Sequence, residues 1–178
     1  MLFCEVVAVC NATPRYIYES VTCVSPAELS AMGAQAVGID LDNTTVYDST
    51  FTPRKGVKEW LKSVKAAGFP VIIVSNTNRP RAWVIAKMFR LPYFAMSKKP
   101  RTKNVVRAAE FLHVPIENFA MIGDQLFADV QAANDCGAIS VWVRPFMKEK
   151  LFPRYFQKIR DREREYCNEH HIAYKEIK

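Results

Sequence analysis

From Gln35 onward, short apolar runs alternate with segments of helical period, and this alternation constrains the fold most. The apolar runs are Ala36–Asp40, Pro70–Val74, Tyr93–Met96, Phe119–Gly123 and Ile139–Val143. Such short runs suit strands of a parallel sheet buried on both faces. Between them, apolar residues recur three and four positions apart, which is the period of amphipathic helices. The sequence therefore predicts an α/β fold, a doubly wound parallel sheet of three α/β/α layers with right-handed crossovers.

The 178 residues fit one domain with a sizeable core. We predict a single domain over residues 1–178, with a core at 35–146 and a basic helical tail at 147–178. Residues 1–34 form an arm and a short helix, whose start is marked by the capping box Ser25-Pro26-Ala27-Glu28. Leu2–Cys10 is apolar but too short to span a bilayer, and we expect a strand or a packing arm there. No transmembrane segment and no export signal are predicted, which favours a cytoplasmic protein with reduced thiols.

The formal net charge of +7 indicates a partner that carries negative charge. Phosphates, nucleic acid and an anionic membrane surface all qualify, and charge alone does not choose among them.

Two carboxylates follow the first core strand. In Val37-Gly38-Ile39-Asp40-Leu41-Asp42-Asn43-Thr44 the strand runs directly into Asp40 and Asp42. Residues two apart on an extended chain point the same way, so both would project beyond the carboxyl end of the strand. Open α/β sheets bind their ligands at that edge, and Mg²⁺ prefers carboxylates together with phosphate oxygens. The alternative is a turn in which Asp42 and Asn43 only cap a helix.

Three later strand ends also carry polar groups. Ser75 and Asn76 follow the second strand and could bind phosphate oxygens, although small polar residues are ordinary in such loops. Lys99 follows the next apolar run, where a solvated surface lysine is the alternative. Asp124 lies at the end of the fourth run and Asp129 one helical turn later, where it could instead stabilise a helix N-terminus.

Taken together, these motifs resemble the haloacid dehalogenase (HAD) superfamily, in particular its subclass IIIA phosphatases of the YqeG type. The matching residues are Asp40-Leu41-Asp42-Asn43-Thr44, Ser75-Asn76, Lys99-Pro100 and Gly123-Asp124-Gln125 with Asp129. The resemblance runs from about Pro26 to Arg164. It implies a HAD-like fold and a magnesium-dependent phosphatase.

The resemblance also implies a role for each residue. Asp40 would attack phosphorus and form an aspartyl-phosphate, and Asp42 would act as general acid and then as general base. Ser75, the Asn76 backbone amide and Lys99 would bind the phosphate. The Mg²⁺ ligands would be the Asp40 and Asp124 carboxylates and the Asp42 carbonyl, with Asp129 orienting the metal shell.

The intervals between these motifs bear on the substrate. Neither interval, from Thr44 to Ser75 or from Ser75 to Lys99, has room for a cap domain, so the site should be open and its substrate large or surface-bound. Similarity of the YqeG group to enzymes that dephosphorylate phosphatidylglycerophosphate makes that lipid the first candidate substrate.

The tail is predicted to form an amphipathic helix. One face carries Phe152, Phe156 and Ile159, and the opposite face is expected to be basic and could contact an anionic membrane. That basic face comprises Arg154, Lys158, Arg160, Arg162 and Arg164. Packing of the apolar face on the domain is the alternative.

Two other functions stay open. A nucleotide or polynucleotide phosphatase would place an aromatic residue near the site, and Trp83 is the nearest candidate, although its helical position favours packing. A catalytically silent binding or scaffold protein would retain the fold without turnover.

Overall fold

The computed structural model describes residues 11–147, 149 and 152–174. The strand or packing arm predicted at Leu2–Cys10 lies outside the described residues. The strands are β1 Tyr16–Tyr18, β2 Ala36–Ile39, β3 Val71–Val74, β4 Tyr93–Phe94, β5 Phe119–Gly123 and β6 Ile139–Val143. The helices are α1 Pro26–Ala31, α2 Val57–Ala66, α3 Arg79–Phe89, α4 Lys103–Phe111, α5 Gln131–Asp135 and α6 Pro153–Glu169. Between β5 and α5, Leu126–Val130 forms a π-helical turn.

The six strands form one parallel sheet in the order β1-β6-β5-β2-β3-β4. All residues of β2, β3, β5 and β6 are buried, as the uniformly apolar runs predicted. The predicted strands are confirmed, although β4 is shorter than the apolar run that marks it. Strand β1 was not predicted, because it has only three half-exposed residues at the edge of the sheet.

Apolar side chains cover both faces of the sheet. On one face, Ile39 and Ile73 lie in a core with residues of α2 and α3, such as Trp60 and Ile85. On the other face, Ile72 and other strand residues pack with α4 and α5. The α/β three-layer fold is therefore confirmed.

The chain direction reverses next to β2, and this reversal positions the site. From β2 the chain proceeds outward to β3 and β4, and it then returns to place β5 on the other side of β2. In open α/β sheets the loops diverge at such a point and leave a crevice at the carboxyl ends of the strands. Asp40 and Asp124 directly follow β2 and β5, so they border this crevice from its two sides.

The expected faces of the last helix are wrong in part. Arg160 was expected on a solvated basic face, yet it is buried. The reason is that Arg160 meets three carboxylates, those of Asp124, Glu149 and Glu163. Phe152 on the expected apolar face is 69% exposed, so the alternative in which that whole face packs on the domain does not hold for this residue. Further along α6, Tyr166 and Cys167 pack in a third apolar cluster with residues such as Trp142.

Candidate active site

A cleft of about 360 Å³ lies at the carboxyl ends of the central strands. It is lined by all seven residues singled out from the sequence: Asp40, Asp42, Ser75, Asn76, Lys99, Asp124 and Asp129. Asp40 extends from β2, Ser75 and Asn76 from β3, and Asp124 from β5. The structure therefore brings together side chains that are far apart in the sequence, since Asp40 and Asp129 are separated by 89 positions.

Lys99 joins two of the carboxylates. Its Nζ donates to Asp40 Oδ1 at 2.8 Å, to Asp129 Oδ1 at 2.5 Å and to the Val74 carbonyl at 2.7 Å. Its side chain is 1% exposed, whereas the neighbouring Lys98 is exposed. All three ammonium protons therefore have acceptors, and Lys99 is not the solvated surface lysine that a lysine pair suggests.

Asn76 positions Lys99 through the backbone. Its Oδ1 accepts from the Lys99 N–H at 2.8 Å, and its Nδ2 donates to the Lys99 carbonyl at 3.2 Å. Ser75 is buried beside them, and its Oγ accepts from the Thr77 N–H at 3.3 Å. The loop after β3 thus holds the lysine that follows β4.

Burial and charge act in opposite directions on these groups. Burial raises the pKa of Asp40 above its ordinary value, and the charge of Lys99 opposes this rise. Burial alone would lower the pKa of Lys99, but the charges of Asp129 and Asp40 raise it above its ordinary value. Lys99 therefore stays protonated at neutral pH, and it supplies a fixed positive charge within a buried acidic site.

Three buried carboxylates offer a metal site. Asp40, Asp124 and Asp129 each present one oxygen, and these oxygens lie within 4.8 Å of one another. Burial raises the pKa of Asp124 well above its ordinary value, and Arg160 opposes this rise. An all-oxygen donor set of this kind fits a hard cation such as Mg²⁺, which would offset the repulsion among the carboxylates. The Asp42 carboxylate is not part of this group.

Asp124 is also fixed by residues from three separate parts of the chain. Arg160 Nη2 donates to Asp124 Oδ2 at 2.5 Å, and Thr44 Oγ1 donates to Asp124 Oδ1 at 3.3 Å. Trp142 Nε1 donates to the Asp124 carbonyl at 2.9 Å. The orientation of this carboxylate is therefore determined by contacts from separate elements.

Asp42 has a different environment from Asp40. It forms a bidentate pair with Arg81, with Nη1 to Oδ2 at 2.6 Å and Nη2 to Oδ1 at 2.7 Å. Burial raises the pKa of Asp42, and the Arg81 hydrogen bond lowers it by less. The two carboxylates at the end of β2 thus have separate cationic partners, which suits two separate roles.

Sequence reasoning missed Arg81, Arg160 and Glu149. Arg81 had a signal, because a basic residue in the first turn of a helix opposes the helix dipole and calls for an acidic partner nearby. Arg160 and Glu149 had none, since the tail is rich in charge and one buried arginine resembles its solvated neighbours in sequence.

The cleft has no inserted cap domain in the two intervals considered, but it is less open than expected. Between β2 and β3 the described chain contains loops and α2, and between β3 and Lys99 it contains α3 and β4, so neither interval holds an inserted domain. The C-terminal segment does reach the cleft, however, and contributes Glu149, Phe152 and Phe156 to its lining. Trp83 is 52% exposed rather than packed, and it borders a separate shallow pocket.

Comparisons with known proteins identify the family of this chain. A family model of haloacid dehalogenase-like hydrolases matches residues 23–137. The chain is 30% identical over 147 residues to the probable phosphatase YqeG of Bacillus subtilis strain 168, which covers 82% of this chain and 84% of YqeG.

Two solved structures share the fold. An uncharacterized protein of Listeria monocytogenes serotype 4b has a TM-score of 0.53 at 18% identity, over 72% of this chain and 99% of that protein. The cobalt-bound deoxy-D-mannose-octulosonate 8-phosphate phosphatase of Haemophilus influenzae has a TM-score of 0.51 at 15% identity, over 72% of this chain and 75% of that enzyme.

The chain therefore belongs to the haloacid dehalogenase-like hydrolase family. The expected enzyme class, a phosphatase of this family that resembles YqeG, is confirmed by these comparisons.

Proposed function

We propose that this protein is a Mg²⁺-dependent phosphomonoesterase that forms an aspartyl-phosphate on Asp40 and acts on a large or surface-bound substrate. The observation that carries this proposal is the convergence on one cleft of Asp40, a protonated buried lysine and two further buried carboxylates. A nucleophile, a charge that stabilises the transition state and a hard-cation site are the parts that phosphoryl transfer needs.

The reaction would proceed in two steps. In the first, an Asp40 oxygen attacks phosphorus, the bond from phosphorus to the leaving oxygen breaks, and Asp42 donates its proton to that oxygen. In the second, Asp42 takes a proton from water, which attacks phosphorus and restores the Asp40 carboxylate. Lys99, Ser75 and the Asn76 amide would stabilise the charge that spreads over the phosphoryl oxygens.

The donor set around the nucleophile supports Mg²⁺ as the cofactor. Asp40 and Asp124 would supply carboxylate oxygens, Asp42 its carbonyl, and Asp129 would orient the surrounding shell. When bound, the cation offsets the negative charge of the carboxylates and of the incoming phosphate.

The shape of the cleft favours a phosphate that protrudes from something larger. No inserted domain covers the cleft in the intervals described above, and the exposed Phe152 borders it with Phe156. These aromatic side chains could contact the glycerol or acyl part of a lipid. Phosphatidylglycerophosphate, the lipid that the sequence resemblance suggested, is therefore the first candidate substrate.

A membrane contact follows from the same region. Exposed Phe152, Arg154, Tyr155 and Lys158 lie at the start of α6, beside the cleft. Aromatic rings with nearby basic groups suit the interface of an anionic bilayer, where each basic side chain contributes about 1 kcal/mol. None of the helices in the described part of the chain is long and apolar enough to cross a membrane. We propose a cytoplasmic protein that binds the membrane surface peripherally.

Phosphate release tests this proposal. It is measured with and without Mg²⁺ from p-nitrophenyl phosphate, from a nucleoside monophosphate and from phosphatidylglycerophosphate in anionic vesicles. We expect Mg²⁺-dependent release that is fastest from the lipid. Faster release from the nucleotide than from the lipid would favour a nucleotide or polynucleotide phosphatase over a lipid phosphatase. No release from any of the three substrates would favour the scaffold function.

A further inference from the structure

The contacts of Arg81 indicate that this residue, which has no role in the mechanism above, also contributes to the reaction. Its two terminal nitrogens donate to both oxygens of Asp42, as described, and the same nitrogens also reach two loops. Nη2 donates to the Thr50 carbonyl at 2.6 Å, and Nη1 donates to Thr77 Oγ1 at 3.0 Å. One guanidinium therefore connects the end of β2, the loop that follows it and the loop that follows β3.

The acceptor positions of Asp42 are nearly filled by these contacts. Oδ1 accepts from Arg81 Nη2 and also from the Ser49 N–H at 2.8 Å. Oδ2 accepts from Arg81 Nη1. A carboxylate oxygen has two lone pairs, so among the described contacts one position remains, and it is on Oδ2. The Asp42 side chain is 27% exposed and lines the cleft, so this position can reach a substrate.

Helix α3 does not depend on this ion pair. Asn78 caps it by accepting from the Arg81 N–H at 3.0 Å, and Pro80 occupies its first turn. Its buried side chains Ile85 and Phe89 hold it in the core. Loss of the Arg81 guanidinium should therefore leave the helix in place, which separates a role in chemistry from a role in folding.

We propose that Arg81 is a positioning residue for proton transfer: it fixes the Asp42 carboxylate so that Oδ2 gives its proton to the leaving oxygen. Arg81 acts only through its contacts with Asp42 and does not itself contact the substrate in this role. A bidentate guanidinium pair holds a carboxylate in one plane, which a single lysine contact does not do. This inference rests on the proposed phosphatase activity and concerns only how Asp42 is aimed.

The leaving group supplies the test. Expulsion of p-nitrophenolate needs no proton, whereas an alkoxide leaving group does. The value of kcat/KM for each ester covers the steps from substrate binding to departure of the leaving group and excludes hydrolysis of the aspartyl-phosphate. We compare p-nitrophenyl phosphate with propyl phosphate for the wild type, Arg81→Met and Arg81→Lys. General acid catalysis contributes about 10²- to 10⁴-fold, so we expect Arg81→Met to lower kcat/KM for propyl phosphate by at least about tenfold. The value for the aryl ester should change only a few-fold, and Arg81→Lys should lie between Arg81→Met and the wild type.

Two comparisons make the result specific. Arg79→Met, on the same helix and exposed, should leave the ratio of the two esters unchanged. In an Asp42→Asn background, Arg81→Met should cause no further loss on propyl phosphate, because the group that it positions is gone.

The outcomes separate this inference from the proposed function. Equal losses in kcat/KM on both esters would show that Arg81 binds the phosphate or supports the fold, and would overturn the inference alone. A wild-type protein that releases phosphate from neither ester nor from phosphatidylglycerophosphate in anionic vesicles would overturn the proposed function, and the inference with it.

Discussion

Arg160 donates to Asp124 Oδ2 at 2.5 Å, which connects the last helix to a carboxylate at the end of a central strand. The same guanidinium pairs with Glu149 at 2.5 Å and Glu163 at 2.7 Å, and all four side chains are almost fully buried. Burial alone would lower the pKa of Arg160, but the charges of Glu163, Asp124 and Glu149 raise it well above its ordinary value. Arg160 in the last helix therefore supports a carboxylate of the candidate site, so this helix is structurally coupled to the site.

Removal of this arginine should destabilise the protein. Arg160→Met leaves buried carboxylates without their cation, and breaking a buried ion pair in this way costs about 3–5 kcal/mol. Urea unfolding measures the loss, with Lys158→Met on the exposed side of α6 as the control. Glu163→Leu should cost less in the Arg160→Met background than alone, since the orphaned carboxylate is then removed. Equal stability of Arg160→Met and Lys158→Met would contradict this account.

Lys99 and Lys98 form a matched pair for testing the buried charge. Lys99→Met removes the ammonium that contacts Asp40 and Asp129, and loss of one such electrostatic contact costs about 10²- to 10³-fold in kcat. Lys98→Met changes an exposed side chain and should retain wild-type turnover. Steady-state kinetics on p-nitrophenyl phosphate distinguishes the two. Retention of activity by Lys99→Met would exclude Lys99 from phosphate binding.

Gly123 leaves room for Asp129. A methyl group at Gly123 would overlap Asp129 Cβ, Cγ and Oδ2, and a methyl group at Gly38 would overlap the Phe119 ring. Both alanine variants should therefore lose stability, but only Gly123→Ala should displace a site residue. Displacement of a catalytic group by about 1 Å can cost about 10²-fold in rate. We therefore expect Gly123→Ala, normalised to the amount of folded protein, to turn over about 10²-fold more slowly than the wild type. Gly38→Ala, assayed well below its Tm, should retain turnover; similar losses in both would refute the distinction.

Cys167 reports on the docking of α6. It is fully buried, and burial raises its pKa to about 11, whereas Cys23 is exposed. The thiolate is the reactive form, so at pH 8 iodoacetamide should label Cys23 long before Cys167. Labelling of Cys167 should accelerate as the pH approaches 11 and on unfolding. Peptide mass spectrometry follows both sites, and equal rates at pH 8 would show that α6 does not stay docked.

The sequence predicted the parts of this fold and site that depend on local pattern. Apolar runs marked the buried strands, and the strand ends placed Asp40, Asp42 and Asp124 at one edge of the sheet. Such local patterns do not predict which residues distant in the sequence form ion pairs in the folded protein. Arg81 is 39 positions from Asp42, and Arg160 is 36 positions from Asp124, so only the folded chain shows which basic residues are buried.

The phosphoenzyme tests the central claim most directly. An aryl phosphate labelled with ³²P is mixed with the wild type, Asp40→Asn and Asp42→Asn in the presence of Mg²⁺, and the reaction is quenched in acid. Asp42→Asn should accumulate label, because it lacks the base for the second step while the aryl leaving group needs no acid in the first. We predict that this label is released by hydroxylamine, maps to Asp40 and is missing from Asp40→Asn. Label on another residue, or full turnover by Asp40→Asn, would contradict the account.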